Sequence, residues 1–282
     1  MTWLQAMILA VLQGFSELFP ISSLGHTVLV PALLRWNVDR SDPTFLAFVV
    51  ALHLGTALAL IVFYRSAWVR IVRAFVASIV RGNLSDDVDE RLAWLLVVGT
   101  VPVALLGVFL EKPVRQLFGS SALVALFLIV NAAIMFAGES LRRRGGDGVA
   151  RPLSTLPWAD GAKVGLAQGA ALFPGISRSG ASIVAGLLLR LSHEEAARYS
   201  FLLATPVIFA ASLLEVPQLF KPRAHDILAQ AAVGGALAAV TAYASVAFLT
   251  RYFRANDLRP FGWYCLIFGA AALALTLAKV IA

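Results

Sequence analysis

Four residues of this sequence combine the side-chain types that acid–base and nucleophilic chemistry needs. Glu17, Ser23 and His26 lie close together in one polar segment, and Arg178 lies in a second. Ser23 and His26 are three residues apart, so a helix that begins there would place them on one face. That spacing suits a nucleophile with a nearby acid or base. Three assignments stay open: Ser23 attacks with Glu17 or His26 as base, His26 attacks while Ser23 binds, or an activated water attacks.

The two polar segments are diverged copies of one another. The first covers residues 13–26 and the second residues 168–180, and they align with one single-residue gap in each. Both are embedded in apolar sequence, where a charged side chain at mid-bilayer costs roughly 2.5 to 3.5 kcal/mol. Glu17 and Arg178 are therefore unfavourable there unless they pair or face a polar cavity, and we interpret them as parts of a site.

The composition indicates a polytopic helical membrane protein. Of 282 residues, 60% are hydrophobic and only 14% are charged. The net charge of +7 does not indicate a nucleic-acid partner, because the basic residues lie between apolar spans. The single cysteine, Cys265, excludes an internal disulfide and a cysteine-based metal site.

The apolar segments beside the two polar turns are too short to cross a bilayer. Residues 3–12 and 27–34 flank the first turn, and residues 161–172 and 183–191 flank the second. Ten helical residues rise roughly 15 Å, which is half of a bilayer core of about 30 Å. We therefore expect two re-entrant helical hairpins, whose turns must be covered by protein or a wet cavity.

Three longer segments follow each hairpin, and an odd number of spans inverts the second half relative to the first. The fold prediction is an all-α polytopic membrane protein with an inverted-topology repeat, two re-entrant hairpins and about six transmembrane helices. It forms a single integral membrane domain over residues 1–282, with repeat halves 1–141 and 158–282 joined by a cytoplasmic linker, 142–157. The predicted spans are 44–64, 92–110, 122–141, 199–214, 227–249 and 260–277.

The basic residues predict the orientation. Twelve of them lie in the predicted loops 65–91, 142–157 and 251–259. The predicted loops on the other side hold six, which are Arg35, Arg40, Lys112, Arg115, Lys221 and Arg223. By the positive-inside rule the first set is cytoplasmic. The first hairpin then enters from the outer face and the second from the cytoplasm. We expect a multi-pass protein of the inner (plasma) membrane whose site opens to the outer, periplasmic side.

The two motifs resemble those of a known family. They read Gln13-Gly14-Phe15-Ser16-Glu17, then Pro20-Ile21-Ser22-Ser23-Leu24-Gly25-His26, and Pro174-Gly175-Ile176-Ser177-Arg178-Ser179-Gly180-Ala181-Ser182. With them the chain resembles the undecaprenyl-diphosphate phosphatases, the bacitracin-resistance membrane phosphatases, over essentially its whole length. The resemblance implies hydrolysis of undecaprenyl diphosphate to the monophosphate, which recycles the lipid carrier for peptidoglycan synthesis.

That substrate gives the polar residues roles, because a diphosphate in an apolar site needs positioning and charge compensation. Arg178 fits as a planar clamp on phosphate oxygens. Glu17 can hold a divalent cation, Mg²⁺ or Ca²⁺, bound with the diphosphate. The predicted catalytic residues are Glu17, Ser23, His26 and Arg178. The residues predicted to bind substrate are Gln13, Ser22, Gly175, Ser177, Ser179 and Ser182.

The start of the second helix offers a further phosphate-binding feature. The turn at Pro174 and Gly175 can expose backbone N–H groups at the positive end of the helix that follows. Ser177 either caps that helix or binds phosphate, and both alternatives stay open. In the first segment, Ser22 or Ser23 opens a helix after Pro20.

Three positions depart from the family pattern. The first acidic-motif position, Glu or Gln in the family, is Gln13, so Glu17 alone is expected to carry the essential charge. Leu24 stands where a hydroxyl or small residue is usual, and Ser182 replaces a threonine but keeps its hydroxyl.

Other polar residues have simpler interpretations. His53 either lines the cavity or makes a helix-packing hydrogen bond. Ser192 and Glu195 have the spacing of a capping box. The acidic segment 86–90 lacks calcium-loop spacing and is expected to be a solvated face.

A lipid-carrier transporter or flippase is the alternative function, because inverted repeats with broken helices are also a transporter architecture. Such a carrier has no need of Ser23 beside His26. The expected partners are undecaprenyl diphosphate and membrane lipids, with a homodimer as a further expectation.

Overall fold

Helices joined by turns make up the residues that the computed structural model describes, which are 1–36, 38, 42–144, 150–215, 219 and 225–281. Three short 3₁₀ helices, Gln116–Gly119, Leu153–Thr155 and Gly169–Leu172, interrupt the α-helices. The eleven α-helices within the described ranges are α1 (Trp3–Ser16), α2 (Ser23–Leu33), α3 (Pro43–Phe63), α4 (Arg65–Arg81), α5 (Val88–Arg115), α6 (Ser121–Arg144), α7 (Trp158–Gln168), α8 (Arg178–Leu188), α9 (His193–Glu215), α10 (His225–Tyr252) and α11 (Arg259–Leu277).

Among the residues that the structure describes, five helices are long and apolar enough to cross a membrane. They contain the segments Thr44–Phe63, Val88–Leu110, Ser121–Arg144, Ile227–Tyr252 and Arg259–Leu277. The prediction of an all-helical, multi-pass protein is thereby confirmed. The sixth predicted span, 199–214, lies in α9, which is not among the five. Charged residues in its first turns, Glu194, Glu195 and Arg198, lower the hydropathy of that helix.

The basic segment 65–91 was expected to be a loop, and this is wrong for most of its length. Residues 65–81 form α4, which packs on α5: the hydroxyl of the buried Ser78 accepts from Trp94 Nε1 at 2.9 Å, and the rings of Phe75 and Trp94 lie 5.1 Å apart. Val72 and Val76 on another side are about half exposed, at 52% and 53%. A helix of 17 residues with an apolar side and several arginines suits the membrane interface better than a span.

Two pairs of short helices flank the polar turns. Helix α1 has 14 residues, and α2, α7 and α8 have 11 each. At 1.5 Å per residue they rise about 16 to 21 Å, less than a bilayer core of about 30 Å. The short apolar pieces expected from the sequence are therefore present as helices.

Each short first helix packs against a long helix of the other half at a glycine. A Cβ on Gly14 of α1 would lie 2.3 Å from the carbonyl oxygen of Ala238 on α10. A Cβ on Gly165 of α7 would lie 2.2 Å from the carbonyl oxygen of Gly99 on α5. These backbones approach so closely that only glycine fits.

Some predictions concern residues outside the described ranges. Residues 145–149 of the predicted linker lie there, as do Arg40, Lys221 and Arg223 of the predicted outer loops. The structure therefore describes only the two ends of the predicted linker, 142–144 and 150–157.

The contact between α5 and α7 gives a stability prediction. Gly165→Ala should lower the free energy of unfolding in detergent by about 1 to 3 kcal/mol, because the added methyl group must displace the backbone of Gly99. Gly107→Ala on α5 is the matched control, since a Cβ there meets nothing within 4 Å. That control should be neutral or stabilising by up to about 1 kcal/mol. Equal stability of the two variants would contradict the close helix contact.

Candidate active site

The first polar turn ends α1 and begins α2 with a strained serine. The backbone N–H of Glu17 donates to the carbonyl of Gln13 and completes the last turn of α1. Ser22 has φ +69° and is the N-cap of α2, where its hydroxyl accepts from the N–H of Gly25 at 3.2 Å. A non-glycine residue at positive φ is held by its surroundings, which is common at functional sites. Ser23 is thereby the first helical residue.

The second polar turn is built in a related way. Ser177 is the N-cap of α8, and its hydroxyl accepts from the N–H of Gly180 at 3.2 Å. Of the two roles left open for Ser177, the structure therefore shows capping. Gly175 has φ +112°, and a Cβ there would lie 2.4 Å from the carbonyl oxygen of Val124 on α6. This turn delivers Arg178 as the first residue of α8.

An asparagine of α6 holds the two turns together. The Asn131 side-chain amide donates to the carbonyl of Pro20 at 3.0 Å, and its oxygen accepts from the N–H of Ser177 at 3.0 Å. Ser179 adds a hydrogen bond from its hydroxyl to the carbonyl of Phe19 at 3.2 Å. The two polar segments, separated by more than a hundred residues in the sequence, are therefore in direct contact.

The carboxylate of Glu17 is the centre of the site. Its Oε1 pairs with Arg178 Nη2 at 3.1 Å, and both side chains are at most 10% exposed. Its Oε2 has three neighbours: Ser23 Oγ at 2.5 Å, Gln13 Nε2 at 3.1 Å and His53 Nε2 at 3.3 Å. The site thus combines a hydroxyl, a carboxylate and a guanidinium, the groups expected from the motifs.

Arg178 uses only part of its hydrogen-bonding capacity. Its Nη1 donates to the carbonyl of Ser200 on α9 at 3.2 Å. Its Nε is buried and has no hydrogen-bond partner within the described part of the chain. A buried N–H without an acceptor is costly, so this donor is available to a ligand that carries oxygen atoms.

His26 lies near the site but does not pair with Ser23. Its Nδ1 is 2.7 Å from the carbonyl oxygen of Ser22, and its Nε2 is 2.7 Å from the hydroxyl of Tyr264. Its ring also stacks on Phe268, with centroids 5.1 Å apart. Of the two bases left open for Ser23, Glu17 is therefore the one beside its hydroxyl in this arrangement. Because Ser23 is the first residue of α2, its hydroxyl turns back toward Glu17.

The remaining predicted binding residues lie around Arg178. Ser179 Oγ is 3.0 Å from Ser177 Oγ, and Ser182 Oγ is 2.7 Å from Ser200 Oγ. Ser182 also donates to the carbonyl of Arg178 at 2.8 Å. These hydroxyls hold the first turn of α8 in place.

Three other residues or segments that were interpreted from the sequence can be compared with the structure. His53 Nε2 lies 3.3 Å from Glu17 Oε2, so His53 belongs to the group of residues around that carboxylate. Ser192 caps α9, with its hydroxyl accepting from Glu195 N–H at 3.1 Å. The acidic segment 86–90 is not uniformly solvated: Glu90 is buried and accepts from Arg81 and from Ser85 N–H.

Asn131 was not among the residues predicted from the sequence, although a single polar amide inside an apolar span indicates a residue of a buried site.

The donors around Glu17 leave little room for a resident metal ion. A carboxylate offers about four lone-pair sites, and four donors already surround this one. Within the described ranges, no group of three or more His, Cys, Asp or Glu residues could hold a metal ion. The residues as arranged therefore do not fit a metal bound by the protein alone.

The fold and this site define a helical, multi-pass membrane protein with a buried serine, carboxylate and guanidinium in contact. A family model described as Bacitracin resistance protein BacA matches residues 6–271. The chain is 45% identical to an undecaprenyl-diphosphatase of Mycobacterium avium (strain 104) over 97% of each chain. It is 46% identical to one of Acidiphilium cryptum (strain JF-5) over 98% of each chain. The chain belongs to the BacA family.

Proposed function

We propose that this chain is an undecaprenyl-diphosphatase that hydrolyses undecaprenyl diphosphate to undecaprenyl phosphate and inorganic phosphate. The observation that carries the proposal is the Glu17 carboxylate, which accepts the Ser23 hydroxyl on one oxygen and pairs with Arg178 on the other. Its relatives carry the same name. The reaction recycles the lipid carrier for peptidoglycan synthesis, which fits the bacitracin resistance in the family name.

Ser23 is the nucleophile in this proposal. Its oxygen attacks the terminal phosphorus, its proton passes to Glu17 Oε2, and the bond from phosphorus to the bridging oxygen breaks to release undecaprenyl phosphate. Glu17 passes this proton to the leaving phosphate oxygen and is ionised again. Water then attacks the phosphoserine, Glu17 accepts a proton from that water, and the proton returns to Ser23 Oγ as its bond to phosphorus breaks and inorganic phosphate is released. The 2.5 Å contact between Ser23 Oγ and Glu17 Oε2 supports this assignment. His26 is less suited to attack, because both its ring nitrogens are already engaged.

Arg178 compensates the charge of the diphosphate. Its unpartnered Nε can donate to a phosphate oxygen, and its fork can move from Glu17 to the substrate. The N-terminus of α8, where Arg178 lies, adds a positive dipole end. A divalent cation, Mg²⁺ or Ca²⁺, would enter bound to the diphosphate oxygens rather than wait on Glu17, since the carboxylate is already surrounded by donors.

Phosphate release from undecaprenyl diphosphate tests the activity. The purified wild-type protein in detergent should release phosphate, with and without added Mg²⁺ or Ca²⁺ compared in parallel, and Ser23→Ala should lose at least about 1,000-fold in kcat. Ser16→Ala is the matched control, because this buried hydroxyl of the same segment only donates to the carbonyl of Leu12. Its activity should stay within about twofold of wild type.

A second measurement separates the mechanisms. Acid quenching during turnover of substrate labelled in the terminal phosphate should leave the label on Ser23. Release of phosphate by wild type with no label on the protein after either acid or alkaline quenching would favour attack by water, since a phosphohistidine at His26 is acid-labile but survives the alkaline quench. A folded protein that moves the lipid across a bilayer and releases no phosphate would support the transporter alternative.

The inverted repeat and the re-entrant hairpins are also part of the proposal. Helix α1 packs on α10 of the second half, as α7 packs on α5 of the first, which is the exchange that a two-fold relation requires. The short lengths of these helices support hairpins that return to the side they entered. The basic residues support an inner-membrane location with the site open to the outer side. A homodimer stays a prediction.

Thiol labelling tests this topology in a Cys265→Ala background. Leu84→Cys, which replaces a residue 56% exposed between α4 and α5, should react with a membrane-impermeant reagent only when the cytoplasmic face is open. Gly119→Cys, between α5 and α6, should react in intact cells with a permeabilised outer membrane. The reverse pattern would contradict the proposed orientation, and labelling of both from one side would contradict the span between them.

A further inference from the structure

His53 lies in the site although it belongs to neither polar motif. It is on α3, with its side chain 19% exposed, and α3 packs against α1, α9 and α10. Its Nδ1 is 2.8 Å from the carbonyl oxygen of Val49, one turn earlier. Its Nε2 is 3.3 Å from Glu17 Oε2. The charged groups that face it are Glu17 from the first turn and Arg178 from α8.

The partners of His53 determine its protonation. A backbone carbonyl only accepts hydrogen bonds, so Nδ1 must carry a hydrogen. Glu17 Oε2 belongs to a carboxylate that already accepts from Ser23 and Gln13, so it too acts only as an acceptor. Nε2 must then carry a hydrogen as well, because a bare nitrogen lone pair would otherwise face the carboxylate. With both nitrogens protonated, His53 is an imidazolium.

His26 shows the contrast. Its Nδ1 also faces a carbonyl oxygen, that of Ser22, but its Nε2 faces the hydroxyl of Tyr264. A hydroxyl can donate as well as accept, so a neutral ring satisfies both contacts of His26. The two histidines near the site therefore differ in charge, and the charged one is the residue outside the motifs.

We propose that His53 is a cationic positioning residue of the phosphatase site. It fixes Glu17 Oε2 toward Ser23 and gives the site a second positive charge beside Arg178. The proposal rests on the proposed function for its kinetic consequence. With Glu17 ionised, His53, Arg178 and Glu17 together carry a net charge of about +1. When Glu17 takes the proton of Ser23, its negative charge is lost, and both cations are then free to stabilise the diphosphate.

Two substitutions separate the hydrogen bond from the charge. His53→Gln keeps a side-chain N–H that can reach Glu17 but removes the charge, and His53→Leu removes both. We expect His53→Leu to lose about 100-fold in kcat because Glu17 loses its orientation, and His53→Gln to recover at least about 10-fold of that loss. KM should be higher than that of wild type in both variants, because both lack the second positive charge beside the diphosphate. Thr56→Ala is the control on the same helix, since Thr56 only donates to the carbonyl of Leu52.

Equal kinetics of His53→Gln, His53→Leu and Thr56→Ala would overturn the positioning role. Equal losses in His53→Gln and His53→Leu, with Thr56→Ala active, would overturn the positioning role and assign the whole loss to the charge, since the restored donor would then be without effect.

A spectroscopic measurement tests the charge without turnover. The chain has four histidines, and ¹⁵N-histidine NMR of the full-length protein in detergent distinguishes an imidazolium from a neutral ring. At a pH of about 8, where an unperturbed histidine is neutral, wild type should show an imidazolium signal that is lost in His53→Gln. If wild type and His53→Gln showed the same imidazolium signals, the proposal would be overturned. Because this spectrum needs no substrate, a protein that shows the signal but releases no phosphate would contradict the proposed function alone.

Discussion

The rest of the structure depends on one buried carboxylate. Burying an ion without partners costs several kcal/mol, so Glu17 can exist in its site only while donors surround it. Those donors come from four helices: Gln13 from α1, Ser23 from α2, His53 from α3 and Arg178 from α8. Separation of the two polar turns would take the guanidinium from Glu17 and leave Arg178 without its carboxylate in apolar surroundings. The requirement to satisfy the charge therefore links both halves of the chain at the place where the chemistry is proposed.

The polar turns themselves follow from local rules. Ser22 and Ser177 each cap a helix by accepting from the N–H three residues later, so the next residue, Ser23 or Arg178, begins a helix with its side chain at the turn. These features could be predicted from the sequence, because charges and serines inside apolar segments have few structural explanations. The five long spans could also be predicted, since apolar length alone identifies them.

The parts that could not be predicted depend on tertiary contacts. His53 could not be assigned from its own helix, because only the position of α3 against the first turn brings it to Glu17. The direction of His26 depends on Tyr264 of α11, more than two hundred residues away in the sequence. The arginines of α4 suggested a loop, because its buried side, which packs on α5, is not apparent from the local sequence. In each case the deciding contact is made by another element, whose position the local sequence does not specify.

A double-mutant cycle on the ion pair tests the central claim, with unfolding free energies measured in detergent for Glu17→Gln, Arg178→Gln and the double variant. If the pair holds the two turns together, each single variant should lose about 3 to 5 kcal/mol, because the remaining group is left buried without its partner. The double variant should then lose less than the sum by at least about 1 kcal/mol. Losses that add within about 0.5 kcal/mol would contradict the account, because they would mean that the two charges do not depend on one another.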